Sequence, residues 1–183
     1  GDVYKRQHVN FAPGDEREFA ILQYAWREWQ HVSNERLISG PGMELMYLAL
    51  AQRNGVAGTR PRTAAQIVAG ALDAADPLCL EVLEVFCGML GGAAANLAVT
   101  LGAFGGVYIG GGIVPRMTEY FARSPFRARF EAKGRFSDYL SSIPTYVITT
   151  ANPTFHGVAT ILSEHLRGRS GANTPVSYTH LTL

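Results

Sequence analysis

Cysteine is scarce: Cys79 and Cys87 are all that this chain offers toward a disulfide framework. They lie eight positions apart on one predicted helix, about 12 Å at 1.5 Å of rise per residue, too far to bond to each other. Two unpaired buried thiols suit a reducing cytoplasm, which is the compartment expected. An excess of either charge is also absent. Sixteen basic and 15 acidic residues leave a formal net charge of +1 with no block of like charge, so nucleic acid and anionic lipid are excluded as partners on electrostatic grounds. Small molecules are the partners expected. Lys5 and Arg6 are followed by no continuous apolar run, so no signal peptide is read. No Lys-Ser or Lys-Thr follows a glycine cluster, which excludes a Walker A loop, and no G-x-G-x-x-G occurs. His156 and His165, nine apart on one predicted helix, fall on opposite faces, and no metal site is expected.

The most informative absence is local. Thirty-one consecutive residues between Glu84 and Arg116 carry no charge, and nine of them are glycine. A membrane helix is also uncharged, but it would not close on Gly105-Gly106, a β-type run Val107-Tyr108-Ile109, and then Gly110-Gly111-Gly112. Asn96 and Thr100 interrupt it further. The stretch reads as a buried helix over about Pro77–Leu101, a turn, a buried strand and a bare backbone loop. Such a loop lets a ligand approach the main chain, because glycine has no Cβ and tolerates φ > 0.

What is present gives the order of elements. Asp15 with Glu18 is a helix-start pair, and Phe19, Leu22, Ala25, Trp26 and Trp29 then recur at helical spacing. Arg36-Leu37-Ile38-Ser39 reads as a short strand, Gly40-Pro41-Gly42 as a loop, and Leu45, Met46, Leu48 and Ala49 as a second helix. Thr63 with Gln66 opens a third helix reaching about Ala74, and Asp76-Pro77 caps the long fourth one. Beyond the glycine loop come short helices over Met117–Arg123 and Pro125–Lys133, a strand over Thr145–Thr150, and a closing helix over Thr154–Leu166. Strands alternating with dominant helices place the chain in the α/β class. Gly88 and Gly92, four apart, read as helix-packing positions with no ligand role.

Two strand–glycine–helix passages, Gly40 to Gly42 and Gly110 to Gly112, can point backbone N–H groups and a helix N-terminus at a nucleotide phosphate. Either alone is more often only a turn; two in one small lobe favour a nucleotide cleft. Glu35, before the first loop, can accept hydrogen bonds from two hydroxyls of a polyol, or simply face solvent. His8 can donate to and accept from a sugar, or serve a structural role near a chain end.

Four blocks carry a family resemblance: His8-Val9-Asn10-Phe11-Ala12-Pro13, His31 through Gly42, Gly105 through Arg116, and Phe126-Arg127 with Phe130 through Phe136. In this order they resemble the bacterial glucokinase family over about His8 to Arg167. The resemblance implies the C-terminal, larger lobe of an actin-like ATPase (ribonuclease H-like) fold, incomplete here, helix-rich with a small mixed sheet. It implies a kinase that moves the γ-phosphoryl of ATP, with Mg2+, to the 6-hydroxyl of glucose, the first step of glycolysis. By that resemblance His8 and Glu35 contact glucose, Gly40 and Gly42 line the nucleotide side of the cleft, Gly110, Gly111 and Gly112 lie against the adenosine, and Gly157 lies near the adenine. Residues 8–168 would form the lobe. Residues 1–7 are read as non-native, and 169–183, which ends in a threonine-rich polar run, as a non-native or disordered tail.

Departures from the family pattern are equally specific. Lys5, Arg6 and Gln7 stand where the family has Glu-Gly-Gly, whose glutamate is a further glucose ligand. The family's Asp-x-Gly-Gly-Thr phosphate loop and its aspartate general base are not in this chain, so no catalytic residue is assigned to it and the isolated chain is expected to be inactive. An exposed, partly apolar face and possible homodimerisation follow as expectations. A sugar- or nucleotide-responsive regulator of the same superfamily is the alternative, against which stands the lack of a basic DNA-reading helix.

Overall fold

The computed structural model describes residues 7–150 and 153–169; the readings of residues 1–6, Asn152 and 170–183 lie outside them. Helix α5, Pro77–Leu101, is the axis of the fold. It starts as the sequence predicts: the Asp76 carboxylate accepts the N–H groups of Leu78 at 3.0 Å and Cys79 at 3.2 Å, and Pro77 fills a first-turn position whose N–H would be unpaired anyway. By length and composition α5 could cross a bilayer, but most of its surface is buried within the protein. The covering elements are α3 (Gly40–Arg53), α4 (Ala64–Leu72) and α7 (Phe126–Glu131). Val82, Leu83, Phe86 and Cys87 lie at the centre of this core. Each large apolar side chain withdrawn from water there contributes about 1.5–3 kcal/mol.

The α5–α7 crossing depends on a missing side chain. A Cβ on Gly91 would lie 2.3 Å from the Phe126 carbonyl oxygen, so no larger residue fits without separating the helices. Gly88 and Gly92 flank this contact, facing the Glu18 carboxylate at 3.8 Å and the Arg129 side chain at 3.7 Å. Small residues do set the approach, but the one in tightest contact is Gly91.

Helix α1, Glu16–Ala25, buries Glu18, Ile21, Leu22 and Ala25. Phe19 and Trp26, which the sequence pattern places with the core, are instead 45% and 50% exposed. The helix turns its Glu18 face inward because that carboxylate has work to do inside. Asp15 caps the helix by accepting the Glu18 N–H, but Glu18 does not return the bond; it accepts the Gly14 N–H at 2.6 Å and a two-oxygen contact from Arg129 at 2.9 and 3.1 Å. Burial pushes the Glu18 carboxyl upward, against the pull of the Gly14 N–H and the Arg129 guanidinium.

The expected strand over Arg36–Ser39 is not one. Asn34–Leu37 forms a one-turn helix, α2, because Ser33 caps it by accepting the Arg36 N–H. Two residues later Ser39 caps α3 by accepting the Gly42 N–H at 3.1 Å. Gly40-Pro41-Gly42 is therefore the first turn of α3 rather than a loop after a strand. Two serine caps six positions apart outweigh the short apolar run, whose Leu37 is simply buried between the helices.

Strand β1, Val107–Ile109, pairs in parallel with β2, Thr145–Val147, with Val107 opposite Thr145. The small sheet, expected to be mixed, is this parallel pair among the described residues. Between the strands lie a 3-10 turn (Val114–Arg116), α6 (Thr118–Ala122), α7, a second 3-10 turn (Gly134–Phe136) and α8 (Ser137–Ser141), the last of which the sequence pattern did not reveal. Helix α9, Pro153–Arg169, follows.

Candidate functional site

The two residues expected to hold a sugar are brought together. An antiparallel bridge joins Asn10 to Ser33, with the Phe11 N–H donating to the Val32 carbonyl at 2.9 Å and the Asn34 N–H to the Val9 carbonyl at 3.1 Å. Phe11 and Val32 are buried and anchor the pairing. This registers His8 beside the first turn of α2, where its Nδ1 lies 3.2 Å from an Oε of Glu35. The two side chains remain about half exposed, at 51% and 44%. A carboxylate accepts at two oxygens, the capacity that neighbouring hydroxyls of a polyol require.

The second glycine segment borders a groove. After β1 the chain runs through Gly110 to Gly112 into the 3-10 turn, pinned at its base by the Ile148 N–H donating to the Ile109 carbonyl at 2.9 Å and at its far end by buried Val114 and Met117. Gly111 has φ +113°, which disfavours any side chain, and no atom lies within 4 Å of a Cβ built on Gly111 or Gly112. The loop faces a groove of about 270 Å³, with Ala64, Val68, Leu72 and Asp73 of α4 on one wall and Gly112 and Arg116 on the other. A Cβ on Gly40 would meet the Ala64 Cβ at 3.8 Å, so the start of α3 abuts the same end of α4. Glu44 of α3 fixes that junction by accepting the Ala64 N–H at 3.2 Å. Thus Gly40 packs beside the first residue of α4 and Gly112 lies across a groove from the same helix, although the two are 72 positions apart in sequence.

Gly42 stands apart from this role. A Cβ there would lie 1.9 Å from the Leu37 carbonyl oxygen, and its N–H is already taken by Ser39, so its lack of a side chain serves the α2–α3 turn. Gly157 sits in α9 and is not among the residues lining the groove. Among the described residues no group of three or more His, Cys, Asp or Glu could hold a metal ion. A second concavity, between α1 and α7, has charged walls already occupied with each other: Arg17 with Glu84 at 2.9 Å and Arg129 with Glu18.

A helix-rich lobe with a parallel strand pair and a bare glycine turn at the strand end is a lobe of the actin-like ATPase fold. A crystal structure of glucokinase from an Antarctic psychrotroph superposes with TM-score 0.79 at 36% identity, covering 87% of this chain and 49% of that one. The glucokinase from Balamuthia mandrillaris, solved in complex with glucose, shares the fold at TM-score 0.70 and 19% identity, over 79% of this chain and 42% of that one. The Glucokinase family model matches residues 6–165, and the chain belongs to that family. It is 52% identical over 175 residues to the glucokinase of Chromobacterium violaceum, covering 94% of this chain and 49% of the relative. It is 56% identical over 168 residues to the "Bifunctional protein glk" of Burkholderia thailandensis, of which it covers 25%. The chain thus spans about half the length of the glucokinases it matches and a quarter of the bifunctional protein.

Proposed function

We propose that this chain is the C-terminal lobe of a cytoplasmic enzyme that transfers the γ-phosphoryl of ATP to the 6-hydroxyl of glucose, and that it supplies binding rather than proton transfer. The observation that carries this reading is the approach of His8 to Glu35, 27 positions apart in sequence and 3.2 Å apart in space. In the proposed complex the Glu35 carboxylate accepts hydrogen bonds from sugar hydroxyls, while His8 donates to or accepts from a neighbouring one. The nucleotide lies along the Gly110 to Gly112 turn, its base toward the α4 groove, and Gly40 borders it from α3. Gly42 keeps the α3 end in place rather than touching ligand, and Gly157 has the weakest case of the set.

Magnesium would neutralise charge on the transferring phosphoryl group when bound. Only Asp73 brings a carboxylate to the groove wall, so the ion would be held by the nucleotide and by groups outside this chain. The general base and the phosphate loop are likewise assigned outside it. Catalysis of phosphoryl transfer is mainly positioning and charge stabilisation, so a lobe without those groups binds without turning over.

Titration of the 183-residue chain with D-glucose and separately with ADP, followed by NMR, tests the assignment. Glu35→Gln and His8→Ala should each weaken glucose binding about tenfold, as expected for a hydrogen bond to a charged group, and leave ADP binding unchanged. Glucose affinity unmoved by both substitutions would remove the sugar site from this pair.

A further inference from the structure

One polar contact at the sugar end has no part in the reading above. His31 Nε2 lies 3.0 Å from the main-chain carbonyl oxygen of His8. A carbonyl oxygen can only accept, so His31 must present an Nε2–H there, which both the Nε2–H tautomer and the imidazolium do. We propose that His31 is a positioning residue that clamps the His8 main chain and so sets the distance between the His8 imidazole and Glu35.

The topology gives this contact its leverage. In the antiparallel pairing around Asn10 and Ser33, the Asn34 N–H to Val9 carbonyl bond is the main-chain tie nearest His8. The His31 bond falls one peptide further, on the carbonyl of His8 itself. His31 immediately precedes buried Val32, and Ser33 caps the helix that carries Glu35. Three consecutive residues thus grip the His8 segment, bury its anchor and start the Glu35 helix. A rotation of the His8 peptide would swing its imidazole away from the carboxylate, and the His31 bond opposes that rotation.

The functional consequence rests on His8 and Glu35 being the sugar ligands, so the test has one arm that does not involve sugar. In the 183-residue chain, His31→Ala should speed amide hydrogen exchange at Asn34 about tenfold, the loss of roughly one hydrogen bond's protection. His31→Gln, whose side-chain N–H reaches about as far as Nε2, should restore it. In the second arm, D-glucose affinity should fall about fivefold in His31→Ala and recover in His31→Gln, with ADP affinity unchanged in both. A clamp acting only on general stability would weaken both ligands together and would not be rescued selectively. Wild-type exchange at Asn34 in the Ala variant, equal losses for glucose and ADP, or a Gln variant as impaired as Ala would overturn the proposal. Should the unaltered chain bind no glucose, the sugar reading falls, and exchange at Asn34 alone decides whether His31 holds the segment.

Discussion

Cys87 shows how far a single side chain's chemistry is set by its surroundings. Burial pushes its thiol up to about 11, against the opposing hydrogen bond with Ser124, and Cys79 is shifted in the same direction by burial first and the Asp76 carboxylate next. The nucleophile is the thiolate, so neither cysteine should react with iodoacetamide at pH 8 in the native chain, and both should react once guanidinium unfolds it; mass spectrometry before and after denaturation reads the difference. Rapid native labelling of Cys87 would show that the core opens there. The sequence supported burial of both thiols from their place on one long, largely apolar helix. It was silent on Glu18, because a carboxylate three residues after a helix-capping aspartate looks like a capping partner. Only the approach of Arg129, 111 positions away, turns it inward.

Among the elements, those with chemically explicit ends were the most legible. Thr63 and Gln66 form a reciprocal capping box at α4, and α5 runs over the span expected from Asp76-Pro77 to Leu101. Asp76 also holds Arg62 at 2.8 Å. Burial alone would raise its pKa, but the Cys79 N–H and the Arg62 guanidinium outweigh this and leave the carboxyl below its ordinary value. A carboxyl depressed on folding contributes stability above its unfolded pKa and loses it as pH falls through the folded value. Asp76→Ala should therefore lower stability near pH 7 by about 1 kcal/mol, a typical cap loss, or about 3 °C in Tm. The gap to wild type should begin to narrow below about pH 4, the ordinary unfolded value, and close as pH falls through the lower native one. A gap independent of pH in thermal melts would assign the loss to packing alone. The α2 region was misread for the opposite reason: a four-residue segment with two apolar members fits strand and helix alike, and the decision rests on the Ser33 and Ser39 caps.

For the whole molecule the question is what one lobe can do. The purified 183-residue chain, in an assay coupling glucose 6-phosphate formation to NADPH, should show no turnover above background at millimolar ATP, Mg2+ and glucose. Turnover within about a hundredfold of an ordinary kinase rate of 1–100 s⁻¹ would overturn the assignment of base and phosphate loop to groups outside it. Apolar surface is exposed on α9 and on the strand pair. Phe155, Val158, Leu162 and Leu166 recur on α9 and are all more than half exposed, and Tyr108 stacks on Tyr146 on the outer side of the strand pair at 5.1 Å. Arg127 braces the same region from α7 by donating to the Ile143 and Ser141 carbonyls, both at 2.8 Å, just before β2. Through β2 it supports β1 and the glycine turn, a connection that no local pattern around Arg127 announces.

The sequence by itself determined the helices with marked ends, the buried apolar axis, the β1–glycine passage and the family, because capping, periodicity and motif order are local properties of the chain. The tertiary structure decided that Glu18 faces Arg129, that Gly42 and Gly91 sit against backbone carbonyls, that Gly40 and Gly112 both border α4, and that His31 reaches the His8 carbonyl. Each of these joins segments distant in sequence, and such contacts exist only once the core has fixed which surfaces lie against one another.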